Sequence, residues 1–260
     1  MIVSKNELSQ KEDKSISRWY GANLALLLGQ KIEAVYPQFE TQKYVQIITS
    51  KCEGMSYTQR ILLHTATLRQ LLPSNYPEAI KILTSILGEE NPNETGMFTN
   101  FYWVGPIGKF VEDYGLDYFE ISIKAIEEIT KRNTGEMAIR PFIRKYPEKT
   151  MEVMLEWSLS KNFHLRRLAS EGCRPKLPWA TKLDEFIDNP RPVFKILDNL
   201  IEDDIKFVQK SVANNIADYL KVNPKVGFEF IEKYKNSTNK NTVWILKHAM
   251  RRVKKDEKLL

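Results

Sequence analysis

Residues 147–168 read PEKTMEVMLEWSLSKNFHLRRL, and the frame inside this stretch decides the fold. It opens on Pro147, carries a bulky residue ten positions on at Trp157, and reaches Leu165 eighteen positions on. The same frame returns from Pro190, with Leu200 and Val208, and from Pro224, with Tyr234 and Val243, the last nineteen positions on. Leu165, Val208 and Val243 each open a second apolar run: His164-Leu165-Arg166-Arg167-Leu168, Phe207-Val208-Gln209-Lys210-Ser211 and Thr242-Val243-Trp244-Ile245-Leu246. A period of about 35 to 45 residues built from two antiparallel helices is the signature of a HEAT-type solenoid. One such pair cannot bury its own apolar face, so neighbours stack into a continuous core with a curved inner surface.

Outward from this region the pattern stays helical. Ile16–Lys31, Tyr57–Leu72, Glu78–Leu87, Leu116–Lys131 and Phe207–Lys221 carry apolar residues at three- and four-residue spacing. Pro77, Pro147, Pro190 and Pro224 stand just before or at helix starts, where a missing N–H costs nothing. Alternating strand-like segments and Asn-Gly or Asp-Gly hairpin turns are absent. The expected fold is all-α, a right-handed α-α superhelix of HEAT-like repeats, with further, less regular pairs around 38–88 and 101–145. Gly88–Thr99 reads as a loop too short to tether two domains. Residues 1–15 read as a flexible lead-in and 16–260 as a single domain.

Composition bounds the function. Hydrophobic residues make up 42% of the 260-residue chain, enough for a soluble core. A net charge of +6 is a modest basic excess, compatible with nucleic acid or an anionic surface without requiring either. Two distant cysteines, Cys52 and Cys173, offer neither a disulfide framework nor metal-ligand spacing. No apolar run is long enough to span a bilayer, and Met1–Ser15 is too polar for a signal peptide. These features point to a cytoplasmic protein that does not engage membranes.

Several chemistries are missing as well. No phosphate-binding glycine loop, metal-binding histidine pair or nucleophile elbow occurs, and His64, His164 and His248 fall in separate helices. No cofactor and no metal are expected, so any hydrolysis must rest on carboxylates, positioning and electrostatics. Glu171 follows Arg167 by four residues and precedes Arg174 by three, but Gly172 and Pro175 stop its helix. It therefore sits near a helix C-terminus, unfavourable for an anion unless arginines compensate. It is either an inter-repeat salt bridge or a carboxylate held for chemistry. Glu136 opens a helix after Asn133-Thr134-Gly135, where the helix dipole alone would explain an acid. Asp218 shares a helix face with Asn214, and the two are either solvated or line the inner wall.

Trp103, Trp157 and Trp244 read as core residues; Trp179 lies in a basic, proline-bounded turn and reads differently. Arg166, Arg167, Lys210, Lys247, Arg251 and Arg252 recur around the second helices. They form either a solvated face or a wall that tracks phosphates.

Taken in order, these residues resemble one family. Arg166-Arg167-Leu168-Ala169-Ser170-Glu171-Gly172, with Arg174-Pro175 and Leu177-Pro178-Trp179-Ala180, is similar to the hallmark run of AlkC-type DNA alkylation repair enzymes. Gly135-Glu136-Met137-Ala138-Ile139-Arg140-Pro141-Phe142 and Ser211-Val212-Ala213-Asn214-Asn215-Ile216-Ala217-Asp218 resemble a second and a third run. Trp103 with Pro106, and Tyr114-Gly115-Leu116-Asp117, fit upstream. Cys173 departs from the small polar residue expected there, and a chain ending at Leu260 leaves no room for the immunoglobulin-like domain of some relatives.

The resemblance implies a HEAT-like DNA glycosylase with a concave DNA-binding face, used at the bacterial nucleoid; a monomer is expected from the single-domain solenoid and the lack of a coiled-coil seam. It would act on double-stranded DNA containing alkylated bases, chiefly 3-methyladenine with 3-methylcytosine as a further candidate, and leave an abasic site. Glu136, Glu171 and Asp218 would form the catalytic acidic cluster, with Arg167 and Arg174 positioning Glu171 and the backbone. Arg140, Arg166, Trp179, Lys210, Asn214, Lys247 and Arg251 complete the expected DNA contacts. Two alternatives stay open on the same scaffold: a non-catalytic binder of branched or damaged DNA, and a protein-binding HEAT scaffold.

Overall fold

The computed structural model describes residues 16–96 and 100–253; the lead-in 1–15 and residues 97–99 of the expected loop lie outside the described residues. Among the described residues every regular element is helical, as the apolar periodicity predicts. The chain divides into two compact units, 1–75 and 76–260. The sequence carries no linker at this boundary and reads there as one continuous domain.

The first unit holds α1 (Ala22–Glu33), α2 (Thr41–Lys51) and α3 (Tyr57–Leu71). The single helix expected over Ile16–Lys31 is broken: Ile16–Tyr20 forms a 3-10 turn, and α1 starts after Gly21 in an extended conformation. Ser56 starts α3 with a capping box, its hydroxyl accepting the Gln59 N–H while the Gln59 side chain accepts the Ser56 N–H.

Among the described residues the second unit runs through five successive two-helix repeats. They are α4 (Tyr76–Ser85) with α5 (Gly105–Tyr114), α6 (Phe119–Thr130) with α7 (Glu136–Lys145), and α8 (Pro147–Ser158) with α9 (Phe163–Gly172). The short α10 (Asp184–Asp188) precedes the pair α11 (Arg191–Leu200) and α12 (Lys206–Val222), and α13 (Pro224–Tyr234) with α14 (Lys240–Ala249) follows. The second helices form one row, α5 against α7, α7 against α9, α9 against α12, and α12 against α14. The all-α, HEAT-like solenoid expected from the repeats is borne out.

Local chemistry explains the pairs. Asn162 and Asn239 cap α9 and α14 by accepting N–H groups of the first turns. α12 has no side-chain cap of its own, and Glu94, from the loop after α4, accepts the Phe207 N–H instead. α11 buries Val193, Ile196, Leu197 and Leu200, the i, i+3, i+4, i+7 stripe of an amphipathic helix. Each such side chain contributes about 1.5–3 kcal/mol on burial. Trp103 and Trp157 are core residues as expected, whereas Trp244 is half-buried. The frame is 43 residues long from Pro147 to Pro190 but 34 from Pro190 to Pro224. Much of the difference lies between α9 and α11, in the segment that carries Arg174, Trp179 and α10.

Candidate active site

The row of second helices brings Glu136, Arg167, Glu171, Arg174 and Asp218 into one chain of ion pairs. Arg167 donates to both oxygens of Glu136, Nη1 to Oε2 at 2.8 Å and Nη2 to Oε1 at 3.4 Å. Its Nη2 also lies 3.5 Å from Glu171 Oε1. Arg174 then donates from Nη1 to Glu171 Oε1 and from Nε to Asp218 Oδ2, both at 2.7 Å. The Ser211 hydroxyl donates to Glu171 Oε2 at 2.6 Å. Three carboxylates alternate with two guanidinium groups, leaving one negative charge in excess.

Two glycines allow this approach. A Cβ on Gly172, beside Glu171, would meet Ile139 Cγ2 at 2.7 Å; one on Gly135, beside Glu136, would meet Thr130 Oγ1 at 2.3 Å. Close packing of α9 on α7 therefore requires the absence of a side chain at Gly172, and the tight turn from α6 into α7 requires it at Gly135.

Against a common burial, their partners set Glu171 and Asp218 apart. Burial works to raise Glu171, but Arg167, Arg174 and the Ser211 hydroxyl outweigh it and hold the carboxyl below its ordinary range. Burial also raises Asp218, Arg174 and Lys221 oppose it only partly, and nearby Glu171 adds to the rise. For both arginines burial disfavours the charge, and their carboxylate partners more than restore it. Glu171 is thus held as an anion, while burial leaves the Asp218 carboxyl above its ordinary range. Among the described residues Asp218 Oδ1 has no hydrogen bond, and Asp218 and Arg174 line a cleft of about 350 Å³. Asn214, Lys221, Arg251 and Arg252 are among its other walls. Arg251 donates to Asn214 Oδ1 at 2.9 Å.

The remaining expected contacts divide. Lys210, Lys247 and Arg251 are exposed. Trp179 is 88% exposed and has φ 61, a left-handed conformation unusual for a bulky residue and costing of order 1–3 kcal/mol. Arg140 is not a surface contact: only 2% exposed, it donates to the carbonyls of Gly172 and Arg174 at 2.9 Å and of Thr181 at 2.5 Å. Its role is to close the 174–181 loop, where Arg144 joins it on Thr181. Arg166 is likewise committed, pairing with Asp203 at 2.6 Å and donating to the carbonyls of Ser160 and Lys161. It ties two inter-helix turns together. Both arginines serve packing because their planar donor forks match clustered carbonyl or carboxylate oxygens.

Cys173, the departure in the hallmark run, is buried against the Ala169 carbonyl, and burial pushes its thiol up to about 12. It bonds with the Ala169 carbonyl and the Asn215 amide and does not replace any member of the ion-pair chain. Ser211 is the functional neighbour that the sequence reading missed. Its signal was present, since it precedes Asp218 by seven residues, two turns of one helix face. Among the described residues no group of His, Cys, Asp and Glu is arranged to hold a metal, and no helix is long and apolar enough to cross a membrane.

Fold and site together define a helical-repeat protein of the HEAT-like class with a buried acid–arginine chain opening on a basic-rimmed cleft. Residues 109–253 match the DNA alkylation repair enzyme family, and the chain belongs to it. It is similar to the AlkC branch: Pseudomonas fluorescens alkylpurine DNA glycosylase AlkC, bound to DNA containing an abasic site analog, superposes with a TM-score of 0.82 at 30% identity. That match covers 92% of this chain and 65% of the other. The uncharacterized protein YhaZ of Bacillus subtilis (strain 168) is 35% identical over 233 residues, 89% of this chain and 62% of its own length. This chain thus spans slightly less than two thirds of each relative.

Proposed function

We propose that this protein is a monofunctional DNA glycosylase that releases small cationic alkylated bases, chiefly 3-methyladenine, from duplex DNA. The observation that carries the reading is the excess carboxylate of the ion-pair chain, whose member Asp218 lines the cleft. Alkylation at N3 gives the base a positive charge, so it leaves without a general acid. Bond breaking then places positive charge on the deoxyribose, as in glycoside hydrolysis generally.

The two inner carboxylates suit the two tasks that remain. Glu171, held anionic by Arg167 and Arg174, supplies a preorganised negative field and needs no reorganisation during the reaction. Asp218, raised by burial and lining the cleft, takes the role of proton acceptor for the water that attacks the sugar. Glu136 completes the cluster by fixing Arg167 in a two-oxygen clamp. Lys210, Lys247, Arg251 and the exposed Trp179 would engage the duplex around the cleft.

The test is release of free base from methylated duplex DNA, comparing wild type with Glu171→Gln at matched folding. Release of 3-methyladenine that collapses in the variant supports the assignment. Salt-dependent duplex binding without any release would instead make the protein a non-catalytic DNA binder.

A further inference from the structure

One cationic cluster lies outside the proposed chemistry. α12 opens with Lys206 and Lys210, and α14, packed against it, brings Trp244 and His248 to the same place. The Lys206 ammonium sits 3.1 Å from the centroid of the Trp244 ring, and that ring stacks on the His248 imidazole at 4.7 Å and 15°. Arg251, just beyond α14, donates to the His248 carbonyl at 2.6 Å as well as to Asn214. Some surface lysines, Lys43, Lys145 and Lys149 among them, have carboxylate partners. Among the described residues Lys206, Lys210, Lys247 and Arg251 have none within 4.0 Å.

Cations gathered without an anion repel each other, and His248 registers that repulsion. Burial, Arg251, Lys206 and Lys210 all hold its imidazole below the ordinary value of 6.5. No charged group of opposite sign is among those acting on it. Lys206, Lys210, Asn214 and Asp218 are spaced by four along α12, so the cluster shares a gently turning stripe with the Asp218 carboxylate. Lys210 stands roughly 12 Å along the helix from Asp218 at the usual rise per residue.

We propose that Lys206, Lys210, Arg251 and the His248 imidazole form a seat for one backbone phosphate of duplex DNA, and that filling it is coupled to uptake of one proton by His248. This rests on the DNA reading above and adds to it which residues hold the backbone and what accompanies binding. The phosphate offsets the neighbouring cations, the imidazole becomes protonated, and both ring nitrogens then act as donors. Trp244 holds Lys206 and His248 in register through its ring face.

The assignment of the proton is clean because the chain has three histidines. His64 is buried against the Tyr44 hydroxyl and held at about 4, chiefly by burial. His164 is buried against the Asn91 carbonyl. Neither can meet a phosphate.

The experiment is duplex affinity by fluorescence anisotropy across about pH 5.5 to 8 at fixed salt, for wild type and His248→Gln, with ring C–H resonances of the wild type followed by NMR with and without duplex. Wild-type affinity should rise as pH falls, tenfold for each unit by which phosphate raises His248, and His248→Gln should be flat. The His248 resonance should titrate at higher pH in the complex while those of His64 and His164 do not move. Lys206→Met should lower the salt slope by about one phosphate contact. Salt-dependent binding with no pH dependence, a pH dependence that survives in His248→Gln, or a His248 resonance that ignores DNA each overturns the seat and leaves the glycosylase reading standing. Absence of any salt-dependent duplex binding overturns both.

Discussion

Glu171→Gln is the substitution whose consequences can be worked furthest. Glu171 accepts from Arg174 and Ser211 at 2.7 and 2.6 Å and lies 3.5 Å from Arg167, so three donors converge on a side chain only 9% exposed. Glutamine keeps the shape and one acceptor oxygen but removes the charge. Breaking a buried ion pair by neutralising one partner costs about 3–5 kcal/mol. Here Arg167 keeps Glu136 and Arg174 keeps Asp218, which places the loss near the lower end. The catalytic loss is separate. Removing a preorganised charge-stabilising group costs about 3–4 kcal/mol in the barrier, two to three orders of magnitude in rate. Single-turnover release of 3-methyladenine at saturating protein measures the rate, and urea denaturation measures the stability. The pH dependence has a definite sign. Because the Glu171 carboxyl lies below 4.5 in the folded protein, its stabilisation is present above 4.5 and is lost as pH falls through the folded value. Wild type should therefore lose stability in that window more steeply than the variant. Excision within a few fold of wild type by a folded Glu171→Gln protein would refute the fixed-anion role.

Three further outcomes follow from particular contacts. Arg140→Met should leave the carbonyls of Gly172, Arg174 and Thr181 without their donor, costing about 1–3 kcal/mol for each one that water cannot reach, seen as a lower denaturation midpoint. Trp179→Gly should unfold no earlier than wild type, since glycine accepts φ 61 without strain and little packing is lost, yet it should weaken duplex binding and base release. A thiol reagent at neutral pH should modify Cys52 in the native protein and leave Cys173, buried and pushed up to about 12, untouched until denaturation.

Much of the scaffold was legible from local pattern. The helix starts at Pro147 and Pro224, the opening of α7 at Glu136 and the end of α9 just after Glu171 all follow from residues within one turn of the boundary. The pairing of helices followed from the repeat, because a stripe such as that of α11 has to be covered by a neighbour. Where the reading slipped, the deciding residue was also local: Gly21 interrupts Ile16–Lys31, and its extended backbone cannot be inferred from apolar spacing.

The chain by itself determined the helices, their two-helix period and the residue types available for chemistry, since these depend on intrinsic preferences and periodicity along a few turns. The spacing of Arg167 and Arg174 about Glu171 is local, but the fate of the other arginines was decided by tertiary structure. Arg140 closes a loop and Arg166 ties two turns, while Arg167 and Arg174 hold Glu171. The same holds for the meeting of Glu136, Glu171 and Asp218, which are 35 and 47 residues apart. The arginine bridges that join them, such as the 2.7 Å bonds from Arg174 to Glu171 and Asp218, depend on how closely α7, α9 and α12 approach, and that distance is set by buried contacts such as Gly172 on Ile139. Packing of that kind is a property of three helices together, and no one of them encodes it.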